Sequence, residues 1–228
     1  MTIFYFALKR SFGNLTNLIF LTIAPIACIF FPSGEYWPHL PYGYQYFGII
    51  ILFTSIRLTT IILDDRAKGV VKRLSVAPIS YLRYLVQNLM AYAVIMVFQC
   101  LIVIAGGLAW GQDLHRPWAL LLLFISFSIT ALAIALAWIS FYRSKETSFL
   151  IYMSLIFFVV IMGGVMIPLE IFPEVLKRAA VILPTYWLAE GMNWVALGGE
   201  TSEFVLTNGV LWLYAIIFLI LGSKRKMQ

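Results

Sequence analysis

The chain has 228 residues, of which 62% are hydrophobic and 11% are charged, and its mean hydropathy is +0.94. A soluble domain is usually about half apolar and a quarter charged, so this composition excludes an ordinary soluble globular protein. The bases behind the net charge of +6 lie in short segments between apolar runs, which argues against a nucleic-acid-binding surface and predicts a membrane protein.

Six apolar runs follow one another along the chain. Each run is close to or longer than the roughly 20 residues that a helix needs to cross a bilayer, although the first is short and contains Pro25. Helices satisfy their backbone hydrogen bonds internally, so we predict an all-α integral membrane protein with six transmembrane helices in one domain, residues 1–228. The predicted spans are 15–31, 43–63, 82–109, 117–142, 147–167 and 204–222.

The distribution of Lys and Arg predicts the orientation. With the N-terminus inside, twelve of the sixteen bases fall on the cytoplasmic side, so both termini are predicted to be cytoplasmic. A cleaved signal peptide is the alternative, since Lys9 and Arg10 precede an apolar run that ends near Ile26-Ala27-Cys28. Pro25 fits that alternative poorly, and five further spans follow.

A charged connector, LDDRAKGVVKRLSVAPISYLR, joins the second and third runs from Leu63 to Arg83. We predict an amphipathic helix over 64–78, with Asp64 and Asp65 near the free N–H groups of its first turn and Pro78 at its end. Its apolar stripe consists of Ala67, Val70, Val71, Leu74 and Ala77. The residues alone also allow a basic loop that enforces topology and contacts anionic headgroups.

The connector resembles a motif of type-2 ATP-binding-cassette (ABC) exporter permeases, acid-Arg-x-x-Gly-x-x-x-Arg-Leu-x-x-x-Pro-[Ile/Val]-Ser. Asp65 stands where the family usually has Glu, and Val70 where it often has Thr. The resemblance implies that the segment is the coupling helix, which docks into a groove on a cytoplasmic ATPase. The implied ATPase-contact residues are Asp65, Arg66, Gly69, Arg73, Leu74, Pro78 and Ser80.

A second stretch resembles the outer helical hairpin that this family has between its fifth and sixth spans. The resemblance implies a partly re-entrant hairpin over 168–194 that forms the outer gate. Pro173 and Pro184 by themselves predict two short helices, because proline favours the first turn. Two interfacial helices without a transport role also fit. The matching residues are Pro168, Phe172, Pro173, Leu183, Pro184 and Glu190.

The resemblance implies a transport subunit rather than an enzyme. The sequence contains no G-x-x-x-x-G-K-[ST] phosphate loop, so ATP and Mg are expected on a separate ABC ATPase subunit. We predict no cofactor, catalytic residue or metal site in this chain. The expected partners are that ATPase, a second permease (the same or a homologous chain) and lipid, in a bacterial inner (plasma) membrane.

The apolar, Phe- and Met-containing spans suit an amphipathic or hydrophobic substrate, such as an antibiotic, a bacteriocin-like peptide or a lipid. Export of a polysaccharide or lipid-linked glycan is the alternative within the same family. A secondary transporter would be expected to show inverted repeats and intramembrane carboxylates, and the sequence shows neither.

Two polar residues inside the spans are candidates for the transport pathway or the interface between permeases. Arg57 is costly in a bilayer, but it lies seven residues before Asp64 and could instead reach toward the cytoplasmic side. Gln99 could equally serve in helix packing, which is the commoner role of such a side chain.

Overall fold

The computed structural model describes residues 2–13, 15–34, 40–70 and 81–224. Within these ranges the regular structure is helical and there is no β-strand. The prediction of an all-α membrane protein is therefore confirmed at this level.

Among the residues that the structure describes, five helices are long and apolar enough to cross a membrane. Their ends differ from the predicted spans by a few residues. The largest difference is in the fifth run, where the helix ends at Met162 rather than near residue 167. These helices are α4 (Tyr42–Ala67), α5 (Tyr81–Ala109), α6 (Pro117–Ile139), α7 (Lys145–Met162) and α10 (Thr201–Lys224).

The first apolar run does not form a complete span. Its 14 residues from Leu15 to Cys28 would rise about 21 Å, whereas the hydrocarbon core is about 30 Å thick. The run bends by 85° from the helix before it, and only the two helices together are long enough to cross a membrane. The six-span count is thus not confirmed. The elements are α1 (Thr2–Ser11), α2 (Leu15–Leu18), a π-helical turn (Ile19–Ile23) and α3 (Ala24–Cys28).

The centre of the bundle is formed by α4 and α6. Phe47 and Phe124 are fully buried and meet edge to face, with their ring centroids 5.0 Å apart. Most of α4 and α6 is buried, whereas α7 and α10 expose most of their apolar surface. That exposed surface must face lipid or another chain.

Between α7 and α10, the chain forms a 3₁₀ turn (Leu169–Ile171), α8 (Glu174–Ala180) and α9 (Pro184–Leu197). Helix α8 follows Pro173, and α9 has Pro184 in its first turn, as the two prolines predict. Helix α9 packs against α6 and α10. The re-entrant depth of this hairpin stays a prediction.

The connector differs from the predicted helix over 64–78. Helix α4 continues to Ala67, so Asp64 and Asp65 lie in its last turn rather than at the start of a new helix. Gly69 adopts φ +70, the left-handed conformation that commonly terminates helices, so it is not a mid-helix residue. The rest of the connector, with Arg73, Leu74, Pro78 and Ser80, lies outside the described residues.

Two glycines provide a matched test of the packing of α3 on α4. A Cβ at Gly43 would lie 1.8 Å from the Cys28 carbonyl oxygen, whereas a Cβ at Gly209 would meet nothing within 4 Å. We expect Gly43→Ala to lower the thermal unfolding midpoint of the purified protein. Gly209→Ala should leave the midpoint unchanged or raise it, because alanine favours a helix by roughly 1 kcal/mol. Equal midpoints in the two variants would contradict this packing.

Candidate functional site: the Asp65 cluster

The carboxylate of Asp65 is buried in the last turn of α4, where the connector begins. Its side chain is 6% exposed and forms an ion pair with Arg10 of α1. Nη1 of Arg10 donates to both carboxylate oxygens, at 2.6 and 2.7 Å. The hydroxyl of Tyr84, on α5, donates to Oδ2 of the same carboxylate. A buried carboxylate is stable only with such donors, so these three side chains form one unit.

Asn88, one helical turn after Tyr84, completes the unit. Its Nδ2 donates to the Tyr84 carbonyl at 2.8 Å, and its Oδ1 lies 3.5 Å from Nη2 of Arg10. Tyr92 donates to the same Oδ1 at 3.3 Å. We call Arg10, Asp65, Tyr84 and Asn88 the Asp65 cluster.

Arg10 keeps its charge within this environment. Burial alone lowers the pKa of its guanidinium, but the hydrogen bond and the negative charge of Asp65 outweigh burial, so the pKa is raised. The cluster is therefore held by a permanent cation on α1.

The cluster joins both ends of the connector to α1. Asp65 lies near the start of the connector and Tyr84 directly follows its end, so one carboxylate joins two points of the chain that are 19 residues apart. A cavity of about 420 Å³ lies beside the cluster. The other residues that line it are Ile3, Phe6, Ala7, Lys9 and Val70.

A second ion pair at this end links α4 to α7. Lys145 donates to Oδ2 of Asp64, and both side chains are about one-third exposed. Two adjacent carboxylates of α4 therefore bind different neighbours, Asp65 toward α1 and α5 and Asp64 toward α7.

The predicted ATPase-contact residues that the structure describes differ in how far they are buried. Asp65 is buried in its cluster, so it is an internal anchor rather than an exposed contact. Arg66 is half-buried, and a Cβ at Gly69 would meet none of the described residues within 4 Å. The sequence did not indicate Tyr84 as a site residue, and it indicated Arg10 only as a base beside the first apolar run, because no local pattern joins residues so far apart.

Gln99, one of the two polar candidates inside the spans, hydrogen-bonds to the backbone of the first run. It is buried, and its Nε2 donates to the carbonyls of Phe20 and Leu21 at 3.1 and 3.0 Å. Those carbonyls belong to the π-helical turn, whose irregular backbone needs such a donor. Arg57 lies elsewhere, beside Asn17.

The hairpin end of the bundle contains Pro168, Pro173, Pro184 and Glu190, and the described contacts do not join the three prolines into one site. Glu190 lies on α9, close to Tyr186. Burial raises the pKa of its carboxyl group, the hydrogen bond from Tyr186 lowers it, and the charges of Glu170 and Glu203 raise it further. The net direction is upward from the ordinary value of 4.5.

The Asp65 cluster predicts unequal effects of two neighbouring substitutions. Asp65→Asn removes the buried carboxylate that accepts hydrogen bonds from Arg10 and Tyr84, and should cost about 2 kcal/mol, or roughly 5 °C in unfolding midpoint. Asp64→Asn breaks a more exposed ion pair and should cost less than about 1 kcal/mol. Thermal unfolding of the two purified variants measures the difference, and an equal loss would contradict the buried anchor.

Glu190 predicts a pH dependence with a definite sign. A carboxyl group whose pKa is raised by folding favours the folded state while it is protonated, below its ordinary pKa. That contribution is lost as pH rises through the folded-state pKa. We therefore expect Glu190→Gln to raise the unfolding midpoint more at pH 7 than at pH 4. The opposite order in paired melting curves would show that this carboxyl group is not destabilised by burial.

A comparison with protein families agrees with this architecture. A family model described as "ABC-2 family transporter protein" matches residues 40–224, which include all five long helices, the connector and the hairpin. No curated protein matches the chain. Because the family model covers most of the sequence, the chain belongs to the ABC-2 family of transporter proteins.

Proposed function

We propose that this protein is the membrane subunit of an ATP-driven exporter and that its connector receives force from a separate ATPase. Membership of the ABC-2 family supports a transporter permease. The observation that carries the rest of the proposal is the Asp65 cluster, because it fastens both ends of the connector to the same buried group.

The cluster gives a physical route from the connector to the spans. A partner that displaces the connector also pulls on α4 and α5, which continue directly into it. Since Asp65 joins Arg10 and Tyr84, α1 must move with those two helices or the buried charges must separate. The Asp64–Lys145 pair extends the linkage to α7.

Gly69 has two features that suit a contact with a partner. Its backbone is left-handed, and a Cβ built on it would meet no atom of the described residues within 4 Å. Another protein's surface can approach a glycine backbone more closely than it can approach any other residue. In this proposal, Arg66, Gly69, Arg73, Leu74, Pro78 and Ser80 contact the ATPase, whereas Asp65 holds the connector in place.

In this proposal, ATP and Mg bind to the partner ATPase, and this chain supplies the movement of helices. Two copies, or this chain and a homologue, enclose the pathway in a bacterial inner membrane, with the connector on the cytoplasmic side. The large exposed apolar surface of α7 and α10 supports assembly within a membrane. The proposed cargo is an amphipathic or hydrophobic molecule, which could move along such a surface.

Purification of the tagged full-length chain from its native membrane tests the proposal. In mild detergent we expect a Walker-type ATPase and a second permease to co-purify with the wild type, identified by mass spectrometry. Arg73→Glu should remove the ATPase. Arg178→Glu, the same charge reversal at the hairpin end, should retain it. Absence of an ATPase from intact wild-type complexes would refute the proposal.

Two substitutions at Gly69 distinguish two requirements of the proposed ATPase contact. One is the left-handed turn at this residue, and the other is a close approach of the partner to its backbone. Asparagine tolerates the left-handed conformation, whereas alanine does not. If the partner approaches the backbone closely, both Gly69→Asn and Gly69→Ala should reduce the amount of co-purified ATPase several-fold. Full retention by the asparagine variant would show that only the turn matters.

A further inference from the structure

Arg57 places a positive charge inside a membrane-spanning helix. It lies ten residues before the last residue of α4, which is about 15 Å along the helix axis. A charged side chain near the centre of a bilayer costs about 2.5–3.5 kcal/mol on insertion scales. Such a charge usually has a partner or a function.

The described neighbours of Arg57 give it no carboxylate partner. Its Nε and Nη2 donate to the Oδ1 of Asn17, at 3.2 and 2.9 Å, and its guanidinium lies 5.6 Å from the ring centroid of Phe149. Within the described part of the chain, no acid lies within ion-pair distance of it. Asp64, which acts on it only through space, is bound by Lys145.

These contacts argue against a guanidinium that merely reaches toward the end of α4. The Asn17 amide accepts two of the five N–H groups from the side of α2, and Phe149 approaches from α7. The side chain is only half-buried between these elements. The guanidinium is thus fixed in orientation, and it has no ion-pair partner among the described residues.

The two elements that contact Arg57 also expose apolar side chains. Ile19 and Ile23, in the first run that contains Asn17, and Leu150, next to Phe149 in α7, are exposed by 39%, 55% and 65%. A fixed cation between elements that expose such side chains complements a molecule with an anionic group and a hydrocarbon tail. Guanidinium binds phosphate and carboxylate through paired N–H donors, and these bonds strengthen where water is excluded.

We propose that Arg57, held by Asn17, binds the phosphate or carboxylate headgroup of an anionic amphiphile. The transport consequence rests on the proposed function, namely that this molecule is the cargo or a lipid beside the pathway. The binding of the amphiphile does not rest on the proposed function, because it requires neither an ATPase nor ATP.

The test compares two ligands that share one alkyl chain. The purified full-length protein in a neutral detergent is titrated with dodecyl phosphate or with dodecylphosphocholine, and stabilisation against heat gives the half-effective concentration of each. The wild type should respond to dodecyl phosphate at a concentration about tenfold lower, the size expected for one charge-assisted interaction. Equal responses of the wild type to the two ligands would overturn the proposal.

Three variants locate the site. Arg57→Gln should abolish the preference, and Arg57→Lys should retain part of it, because lysine keeps the charge but lacks the paired donors. Arg143→Gln is the control, since Arg143 is exposed in the loop between α6 and α7. A preference that survives in Arg57→Gln, or that Arg143→Gln reduces equally, would overturn the assignment. If Arg57→Gln fails to fold, Arg57→Lys takes its place. A preference for dodecyl phosphate in Arg57→Lys as large as that of the wild type would then overturn the assignment.

Nanodiscs distinguish the two sources of such an anion. If the ligand is a bilayer lipid, adding phosphatidylglycerol to phosphatidylcholine discs should stabilise the wild type more than Arg57→Lys. If the site takes only a single-chain amphiphile, dodecyl phosphate should discriminate between these proteins and phosphatidylglycerol should not. Either result supports the anion site, and discrimination by neither ligand would refute it. This outcome is independent of whether an ATPase co-purifies.

Discussion

The buried carboxylate of Asp65 requires donors, and that requirement organises the connector end of the protein. A carboxylate removed from water is destabilising unless charge and hydrogen bonds compensate it. Arg10 supplies the charge, and Tyr84 supplies a further donor. As a result, a helix outside the long spans and the two helices flanking the connector share one electrostatic group. The proposed transmission of force depends on this shared group, because separating its members would leave an uncompensated charge.

Composition and hydropathy were sufficient to predict the helical membrane class and the position of the five long helices. Both depend on local properties, namely the length and apolarity of each run. The first run was predicted less well, since its helical structure ends at Cys28 and contains a π-helical turn, and Gln99 hydrogen-bonds to that turn from far along the chain. Hydropathy does not report such a long-range hydrogen bond.

The connector also shows that local sequence patterns do not report long-range contacts, here at the level of single residues. Asp64 and Asp65 resemble N-terminal capping residues in sequence, yet both lie in the last turn of α4. The glycine conformation that ends this helix and the distant partners Arg10 and Lys145 decide the outcome. The family resemblance points to this segment as the ATPase contact, which stays a prediction, and it could not distinguish a buried residue such as Asp65 from an exposed one.

The most direct test of the anchor is a double-mutant cycle on Arg10→Gln and Asp65→Asn, with the unfolding midpoint of the purified protein as the measurement. If the two side chains form one buried pair, the double variant should lose much less stability than the sum of the two single losses, because the second substitution removes a charge that the first left unpaired. Additive losses would show that the two residues do not interact and would contradict the link between α1 and the connector.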